Sequence, residues 1–446
     1  MRKTDAPGFY PGLVDALSLI YGFVPSFLKK ALLPGAESAA STLRRLFLVL
    51  SQLRLPVRFV QGKEKSGGRE LTAFIAGRGR AASDIAGILF SEVRAEKTSG
   101  ALWLWDLKSV LSRFESRADM AFVVLDELWA KALTARGFLM VPEWVTFRMD
   151  LTRPLARTWN LSRNKTLREN LRRIRKHRYS YEITRDPKKF DDFYRCFYLP
   201  FIPEKFGDST VLTGYRLMKL FFQSGVLLLV KQDGEFVSGN IIMLYNKGAK
   251  SIIIGVREGR ADYIRKAALA ASYYFTTQWA VKQGFRWIDF GECRPYLNDG
   301  ILYFKKRWGM RVERYRHNRT VIALKVRASS PTAEDFLADN PLIYLNGKAL
   351  RGLVFARGDR PLDSRDVLSL EKSFFVPGLE NLTVVSPRGY AFTAEAVRDA
   401  SSRRTLRLLE GGGEEFMKDF PKSLRPGKTQ MSSEFRPRPG PSKPRG

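Results

Sequence analysis

The sequence predicts an α/β (or α+β) fold in which a central mixed sheet is flanked by helices. Strand-like and helix-like segments alternate from the strand LTAFIAG at 71–77 onward. Residues 226–246 contain two apolar runs on either side of the turn QDGE, a pattern typical of a β-hairpin. After Trp159 the elements follow the order strand, helix, hairpin, strand, loop, helix, strand. These three observations indicate sheets and helices mixed along one chain.

The first half of the chain contains one predicted helix among several apolar segments. SDIAGILFSEVRAE at 83–96 has the apolar spacing of an amphipathic helix, with Ser83 as its candidate N-cap. Apolar segments follow at 120–128 and at 138–151. The alternation of element types predicts an α/β unit here.

The second half gives stronger patterns. Leu167, Leu171 and Ile174 have helical spacing, and the strand SYEIT and a helix opened by Asp186 and Pro187 come next. Beyond the hairpin, we expect these further elements: the strand KSIIIGV at 250–256, a loop, a long helix ended by Gly284, the strand FRWIDFG at 285–291, and the strand TVIALKV at 320–326, which closes the region. Later β candidates are LIYLNG, GLVFARG and NLTVVS.

The 446 residues allow two or three domains, and a hydrophobic fraction of 44% is ample for buried cores. The predicted regions are a helical segment at 1–60, an α/β lobe at 61–152, a second lobe at 153–328, a small β-containing region at 329–410 and a disordered basic tail at 411–446. The first lobe is a candidate for a degenerate copy of the second.

The chain is strongly basic. Lys and Arg outnumber Asp and Glu by 76 to 45, which gives a formal net charge of +31. Such an excess attracts polyanions, so nucleic acid, an anionic membrane and phosphorylated cofactors are all candidate partners. A solvated basic surface with a basic tail explains the charge equally well.

Cysteine and histidine are scarce, with only Cys196, Cys293, His177 and His317. Two cysteines make no disulfide framework, and their spacing matches no zinc ligand set. Two histidines nearly exclude a His-based triad or a multi-histidine metal site. We therefore expect no metal, and any acid–base chemistry falls to carboxylates, tyrosines, lysines or water.

The N-terminal sequence does not predict a membrane span. The apolar stretch Leu13–Leu28 is interrupted by charged and helix-breaking residues, and it is shorter than the ~20 residues that a span needs. No cleavage site follows a continuous apolar core, so a signal peptide is not expected and a cytoplasmic location is the default. An amphipathic helix over Leu13–Leu50 would instead place the protein at the periphery of the inner membrane.

The segment GFRWIDFGECRPYLNDGILYFKKRWG at 284–309 carries the most specific pattern. Its residues Asp289, Gly291, Lys305, Trp308 and Gly309 resemble the D-x-G strand end and the lysine-bearing "YKxxWG" element of the FemAB-like and BioF-like branch of the GNAT acyltransferase superfamily. The helix Asn170–Lys176 resembles that branch's "N-x-R-x-x-x-R-K" helix, and the resemblance covers about residues 155–327. It implies a GNAT fold, which the order of elements matches, with two GNAT-like lobes in tandem as an open alternative.

The resemblance implies an acyl-coenzyme A donor, such as acetyl-coenzyme A, whose pyrophosphate binds at a helix start. Backbone N–H groups and the helix dipole favour anions there. The candidate segment is REGRADYIRKAA, with the cofactor-binding residues Gly259, Arg260, Ala261, Tyr263 and Lys266. Ala261 and Asp262 depart from the glycine-rich pattern of the family. An ordinary capped helix with a basic first turn is the alternative.

Acyl transfer to an amine needs a neutral nucleophile and stabilisation of an oxyanion. Asp289 and Glu292 at a strand end are the candidate bases, and Tyr303 is the candidate acid, with Tyr296 as another. Alternatively, Asp289 caps the strand end and Glu292 is only an ion-pair partner of Arg294. The family pattern also favours Lys305 as a group that binds substrate or cofactor phosphate.

The helix around Asn170 is basic on one face, with Arg172 and Arg175 as candidate substrate-binding residues. An anionic substrate, a lipid head group or a nucleotide-linked substrate would suit it. In FemAB relatives the donor is an aminoacyl-tRNA, so the resemblance also implies that tRNA is a candidate partner. A solvated face is the alternative, since arginine is a good helix former.

Three functions remain open. The first is that of an intracellular bacterial N-acyltransferase, which moves an acyl group from acyl-coenzyme A to an amino sugar, amino acid or other small amine. The second is FemAB-like addition of an amino acid from aminoacyl-tRNA to a cell-wall precursor. The third is a non-catalytic GNAT-fold module that binds anionic partners. The sequence does not identify the acceptor or the oligomeric state.

Overall fold

The computed structural model of the chain describes Leu46 and residues 49–410, apart from short internal segments. Those segments are 108–110, 112–116, 135–136, 160, 163, 207–211, 316–318, 328–329 and 387–388. The predicted basic tail, residues 1–45, 47 and 48 of the predicted N-terminal helical segment and most of the candidate amphipathic helix lie outside the described residues. The helical prediction for 1–60 is wrong at its end, because a strand begins at Arg54 and pairs with distant segments of the chain.

The strands of the described residues form three sheets. The first has the order β3-β1-β2-β4-β13-β5 and contains β1 (Arg54–Glu64), β2 (Glu70–Gly77), β3 (Phe90–Trp103), β4 (Met120–Asp126), β5 (Leu139–Pro142) and β13 (Thr320–Val326). The second has the order β12-β6-β11-β10-β9-β8-β7 and contains β6 (Val145–Asp150), β7 (Ser180–Thr184), β8 (Gly225–Gln232), β9 (Glu235–Tyr245), β10 (Gly248–Val256), β11 (Trp287–Cys293) and β12 (Arg311–Arg314). The third has the order β14-β15-β16-β17 and contains β14 (Leu342–Asn346), β15 (Ala349–Phe355), β16 (Leu382–Val385) and β17 (Leu406–Leu409).

Helices flank these sheets and connect their strands. In chain order the described helices are α1 (Gly79–Leu89), α2 (Glu127–Thr134), α3 (Leu155–Trp159), α4 (Lys165–Lys176), α5 (Pro187–Asp192), α6 (Leu199–Phe206), α7 (Tyr215–Gln223), α8 (Ala261–Arg265), α9 (Ala268–Lys282), α10 (Gly300–Arg307), α11 (Pro331–Asp339), α12 (Ser364–Phe374) and α13 (Ala394–Ser401). No helix in this part of the chain is both long and apolar enough to cross a lipid bilayer. The predicted class, mixed sheets with flanking helices, is confirmed.

Local signals predicted several elements correctly. The hairpin of β8 and β9 turns at Asp233 and Gly234, both with positive φ, and this is the conformation that a tight two-residue turn requires. The side chain of Asp186 accepts a hydrogen bond from the N–H of Lys188 and so caps α5. Gly284, with φ of 73°, follows the end of α9.

The helix predicted over 83–96 is wrong in its second half. It ends at Leu89, and Phe90 begins the edge strand β3, which pairs with β1 from Glu64 back to Arg54. Ser83 does not cap it, because the helix begins at Gly79 and the Ser83 hydroxyl donates to the carbonyl of that glycine. Long-range pairing with β1 overrides the helical periodicity of this segment.

The two larger sheets exchange strands. The strand β6 precedes the predicted boundary at 152, yet it lies in the second sheet between β11 and β12. The strand β13 was expected to close the second lobe, but it lies in the first sheet between β4 and β5. The two strands cross the predicted domain limits, which otherwise stay predictions.

The exchange is reciprocal, and the two sheets share one pattern. In the first, β2 and β4 are parallel, and β13 and β5 follow antiparallel. In the second, β10 and β11 are parallel, and β6 and β12 follow antiparallel. Each of the equivalent strands β4 and β11 also carries an aspartate that binds the backbone two residues ahead. Asp126 accepts from the N–H of Leu128 at 2.9 Å, and Asp289 accepts from the N–H of Gly291 at 2.8 Å. The chain therefore contains two lobes of like topology, as the fold prediction allowed.

An aromatic group packs α9 and α10 against β11. The rings of Tyr273 and Phe290 stack at 4.8 Å, and Trp308 meets the ring of Trp159 edge-on at 5.9 Å. Trp308 is 1% exposed, and the chain behind it turns at Gly309 with φ of 74°. A Cβ atom on Gly309 would lie 2.1 Å from the carbonyl oxygen of Thr158, so only glycine fits this approach.

We expect Gly309→Ala to destabilise the protein more than Gly284→Ala. Both glycines have φ near 74°, at 74° and 73°, so both variants carry the strain of the left-handed region, about 1 kcal/mol. Only Gly309 adds a clash with backbone, because nothing lies within 4 Å of a Cβ on Gly284. We expect a further loss of about 2 kcal/mol for Gly309→Ala. Urea unfolding of both variants measures the difference, and equal losses would contradict the close approach.

Candidate active site

The site begins where β10 and β11 separate. These parallel strands pair only at Gly248 with Trp287, Ala249 with Ile288, and Lys250 with Asp289. Beyond these pairs β10 continues to Val256 and β11 to Cys293 without pairing with each other. We call the region between the unpaired ends of these two strands the slot, and the carboxyl ends of strands are where ligands commonly bind in α/β sheets.

The first sheet has no such slot. Its parallel strands β2 and β4 stay paired from Ala73 to Gly77, the last residue of β2. A Cβ atom on Gly77 would lie 2.7 Å from the Cβ of Val124, so the two strands are in close contact at that end. Of the two related lobes, only the second separates its parallel strands.

Asp289 holds the shape of β11. Its side chain is buried, and its Oδ1 accepts from the Thr146 hydroxyl at 2.7 Å and from the N–H of Gly291 at 2.8 Å. The register of β11 against β6 shifts by one residue at this point, and Gly291 has φ of 78°. Because β11 continues to Cys293, Asp289 stabilises a bulge inside the strand rather than capping its end, and its role as a base stays a prediction.

Glu292 is ion-paired, but with Lys250 rather than with the expected Arg294. Its Oε1 accepts from the Lys250 Nζ at 2.7 Å, while Arg294 pairs with Asp84 at 2.9 Å. Burial, the largest single effect, opposes ionisation of Glu292, but the charge of Lys250, the hydrogen bond from Lys250 and smaller contributions together lower the pKa of the carboxyl. Glu292 is therefore ionised at neutral pH, and Lys250 is a residue that sequence reasoning missed.

Lys305 is buried beneath the same strand end. It is 2% exposed, and its Nζ donates to the carbonyl of Gly291 at 2.8 Å and to that of Glu292 at 3.1 Å. Burial lowers the pKa of Lys305. In this arrangement Lys305 supports the backbone of the slot from behind, and a direct contact with substrate stays a prediction.

The two tyrosines lie apart from this group. Tyr303 is 44% exposed on α10, and its hydroxyl accepts from Arg307, whose guanidinium lies 4.3 Å from the centre of the Tyr303 ring. Tyr296 pairs with Leu342 of the third sheet. The structure thus brings Asp289, Glu292 and Lys305 together and places neither tyrosine in contact with them.

The predicted cofactor segment forms an elbow rather than the first turn of the long helix. A 3₁₀ turn at Arg257–Gly259 and the short helix α8 come first, and Ala267 then takes a left-handed conformation before α9 begins at Ala268. Gly259 has φ of 64°, and a Cβ there would lie 2.0 Å from the Glu204 carboxylate. The long helix therefore starts only at Ala268, the last residue of the segment, so the five predicted cofactor-binding residues all precede it.

Two of the predicted phosphate ligands are occupied within this elbow. Arg260 donates to both carboxylate oxygens of Asp262, at 3.0 and 3.1 Å, and lies 4.6 Å from the centre of the Tyr263 ring. Lys266 lies 3.8 Å from the Asp262 carboxylate. Tyr263 is buried and Ala261 is exposed. Asp262, which departs from the family pattern, thus neutralises part of the basic charge.

The start of α9 is a second candidate for the anion site. The N–H groups at the start of a helix have no acceptor within the helix, and the helix dipole favours an anion there. Ala268, Ala270 and Ala271 are small but buried, so the approach of a ligand to this backbone stays a prediction. This turn follows the carboxyl end of β10, next to the slot.

A buried chain of hydroxyl and amide groups fixes α9 on the sheet. The Ser238 hydroxyl donates to the carbonyl of Ala268 at 3.0 Å and contacts Ser272 at 2.9 Å. Asn240 donates to Thr276 at 2.9 Å and accepts from the Ser251 hydroxyl at 2.9 Å. Sequence reasoning missed these residues, although polar residues four apart in an apolar helix, at 272 and 276, were a usable signal.

The basic helix α4 lies beside the elbow. Arg173 donates to the carbonyl of Arg265 at 3.1 Å, so the two basic segments meet. Arg172 and Arg173 both pair with Glu169, and these hydrogen bonds, those of Arg172 first, lower the pKa of Glu169 to about 2. Arg175 is exposed. Arg172 is thus partly neutralised, and substrate binding by both arginines stays a prediction.

Comparison with known proteins finds likeness in structure only. No family model matches the chain, and no curated protein matches it. L-PGS from Bacillus licheniformis has 13% identity and a TM-score of 0.31 over 62% of this chain and 85% of its own. FemX has 12% identity and a TM-score of 0.32 over 62% and 90%. A tandem GNAT protein from the clavulanic acid biosynthesis pathway has 12% identity and a TM-score of 0.24 over 60% and 82%. At these scores the fold assignment rests on the strand order and pairing described above.

Proposed function

We propose that this protein is an N-acyltransferase that binds an acyl-coenzyme A in the second lobe and transfers its acyl group to an amine. The observation that carries the proposal is the separation of β10 and β11 beside the start of α9. An extended thioester arm would lie in the slot, and its pyrophosphate would lie at the first turn of α9. Such a donor supplies an activated acyl group.

The residues around the slot suit acyl transfer in two ways. Apart from that of Gly291, which donates to Asp289, backbone N–H groups of the unpaired strand ends are not used in pairing between β10 and β11, so they could donate to an oxyanion in the slot. The ionised Glu292 is 28% exposed and can accept a proton from an incoming amine, directly or through water, while Lys250 balances its charge. Asp289 and Lys305 hold the strand end that carries these groups.

A second candidate is FemAB-like transfer from an aminoacyl-tRNA to a cell-wall precursor. The contact between Arg173 and Arg265 favours it, because it joins α4 and the elbow into one basic surface beside the slot. A long polyanion that is bound there would bring its acylated end towards the same strand ends. The third candidate, a non-catalytic module, is supported by the ion pairs that occupy Arg260 and Glu292.

We expect acetyl-coenzyme A or a longer acyl-coenzyme A to bind the wild type, and Arg260→Ala with Lys266→Ala to weaken binding about tenfold. Removal of two cations beside the start of α9 reduces the attraction of the pyrophosphate. Isothermal calorimetry measures the affinity, and Arg360→Ala with Lys348→Ala in the third-sheet region is the matched control, because Arg360 is likewise ion-paired with a nearby aspartate, Asp366. Absence of binding to any thioester would contradict the proposal and favour the aminoacyl-tRNA or the non-catalytic alternative.

We expect Glu292→Gln to lower the free energy of unfolding by about 3 kcal/mol, because it leaves Lys250 largely buried without its counter-ion. Glu292→Gln with Lys250→Met should recover most of that loss.

The pKa of Glu292 is lowered by folding, so the contribution of the pair is present above the ordinary value of 4.5 and is lost as the pH falls through the lowered value. Urea unfolding from neutral pH to below 4.5 tests this. A difference between wild type and double variant that does not depend on pH would contradict the pairing.

We expect tRNA to bind with steep salt dependence only if the second candidate is correct. Arg172→Ala with Arg175→Ala should then weaken binding and reduce the slope of log affinity against log salt by about 2. Filter binding over a range of salt concentrations measures both. Binding that the two substitutions leave unchanged would show that α4 is a solvated face.

A further inference from the structure

Two tryptophans lie exposed at the end of β3, far along the chain from the slot. Trp103 is 44% exposed and Trp105 is 64% exposed, and they are the only exposed tryptophans among the described residues. Their rings stack with centres 4.7 Å apart and an angle of 12° between planes. Tryptophan is highly buried on average, so an adjacent exposed pair that packs chiefly on itself indicates a surface that contacts something else.

Cations surround the pair. The guanidinium of Arg54 lies 5.8 Å from the centre of the Trp103 ring, and Arg54 pairs with Trp103 across β1 and β3. The Nε of Arg78 donates to the carbonyl of Arg54 at 2.9 Å, which brings a second exposed guanidinium to the same place. The neighbouring Asp106 is the acidic residue of the short turn that carries Trp105.

Exposed leucines lie in a segment that backbone hydrogen bonds join to the tryptophan pair. The N–H of Leu104 donates to the carbonyl of Leu53 at 2.9 Å, and the N–H of Leu53 donates to that of Leu50 at 3.1 Å. Leu50 and Leu46 are each 54% exposed. The sequence that leads into them contains the apolar stretch Leu13–Leu28 followed by Lys29 and Lys30.

We propose that Trp103 and Trp105, with Arg54 and Arg78, form a docking point for an anionic phospholipid surface. The indole ring is amphipathic and is enriched at the head-group level of membranes, where arginine can also pair with lipid phosphate. The net charge of +31 on the whole chain adds long-range attraction to such a surface. The proposal does not depend on the acyltransferase function.

The test is co-sedimentation of the full-length protein with vesicles of equal parts phosphatidylserine and phosphatidylcholine, and with vesicles of phosphatidylcholine alone. We expect binding to the anionic vesicles that weakens roughly tenfold or more in Trp103→Ala with Trp105→Ala. Trp105→Ala alone, at the more exposed position, should give a smaller loss without risk to the sheet. Val397→Ser, at a position that is 43% exposed in α13, is the control and should bind like wild type.

A second measurement uses tryptophan fluorescence to report on the environment of the two rings. Tryptophan emission of the wild type should shift to shorter wavelength when anionic vesicles are added, and the double variant should show little of that shift. Equal sedimentation of wild type and both tryptophan variants would overturn the proposal. Equal binding to the anionic vesicles and to the phosphatidylcholine vesicles would overturn the role of Arg54 and Arg78 in binding lipid phosphate.

Discussion

The pairing of β6 with both β11 and β12 is the constraint on which the rest of the structure depends. This strand comes from the first half of the chain, and β13 returns the exchange by entering the first sheet. Each lobe therefore completes its sheet with a strand that the other half supplies, so neither sheet is complete without the other half. β6 also carries Thr146, whose hydroxyl donates to Asp289, so the exchanged strand supplies a residue of the candidate site.

The two lobes share a topology but differ in the one feature that can admit a ligand. In the first, the parallel pair stays closed to the end of β2, and Gly77 lies against Val124. In the second, pairing stops after Lys250 and Asp289, where β11 has a bulge against β6. The same arrangement of strands thus gives a structural lobe and a lobe with a slot, and the difference lies in a few residues around Gly291.

The four charged residues at the slot fall into two sets, one that binds backbone and one that forms an ion pair. Asp289 and Lys305 use their polar atoms on the backbone of β11, and their burial makes those contacts rigid. Glu292 and Lys250 keep 28% and 17% of their side-chain surface exposed, so this ion pair is the more accessible of the two sets. The acid–base role proposed for Glu292 depends on that exposure, whereas the buried pair only holds the geometry of the strand.

By itself the sequence determined the α/β class, the hairpin of β8 and β9, the cap at Asp186 and the order of strand, loop, helix and strand around the slot. These follow from local periodicity, turn chemistry and capping, which act over a few neighbouring residues. Only the tertiary structure decided that Phe90 begins a strand, that β6 and β13 change sheets, that Lys250 and not Arg294 pairs with Glu292, and that Lys305 is buried. Each of these depends on contacts between segments far apart in the chain, which no local pattern records.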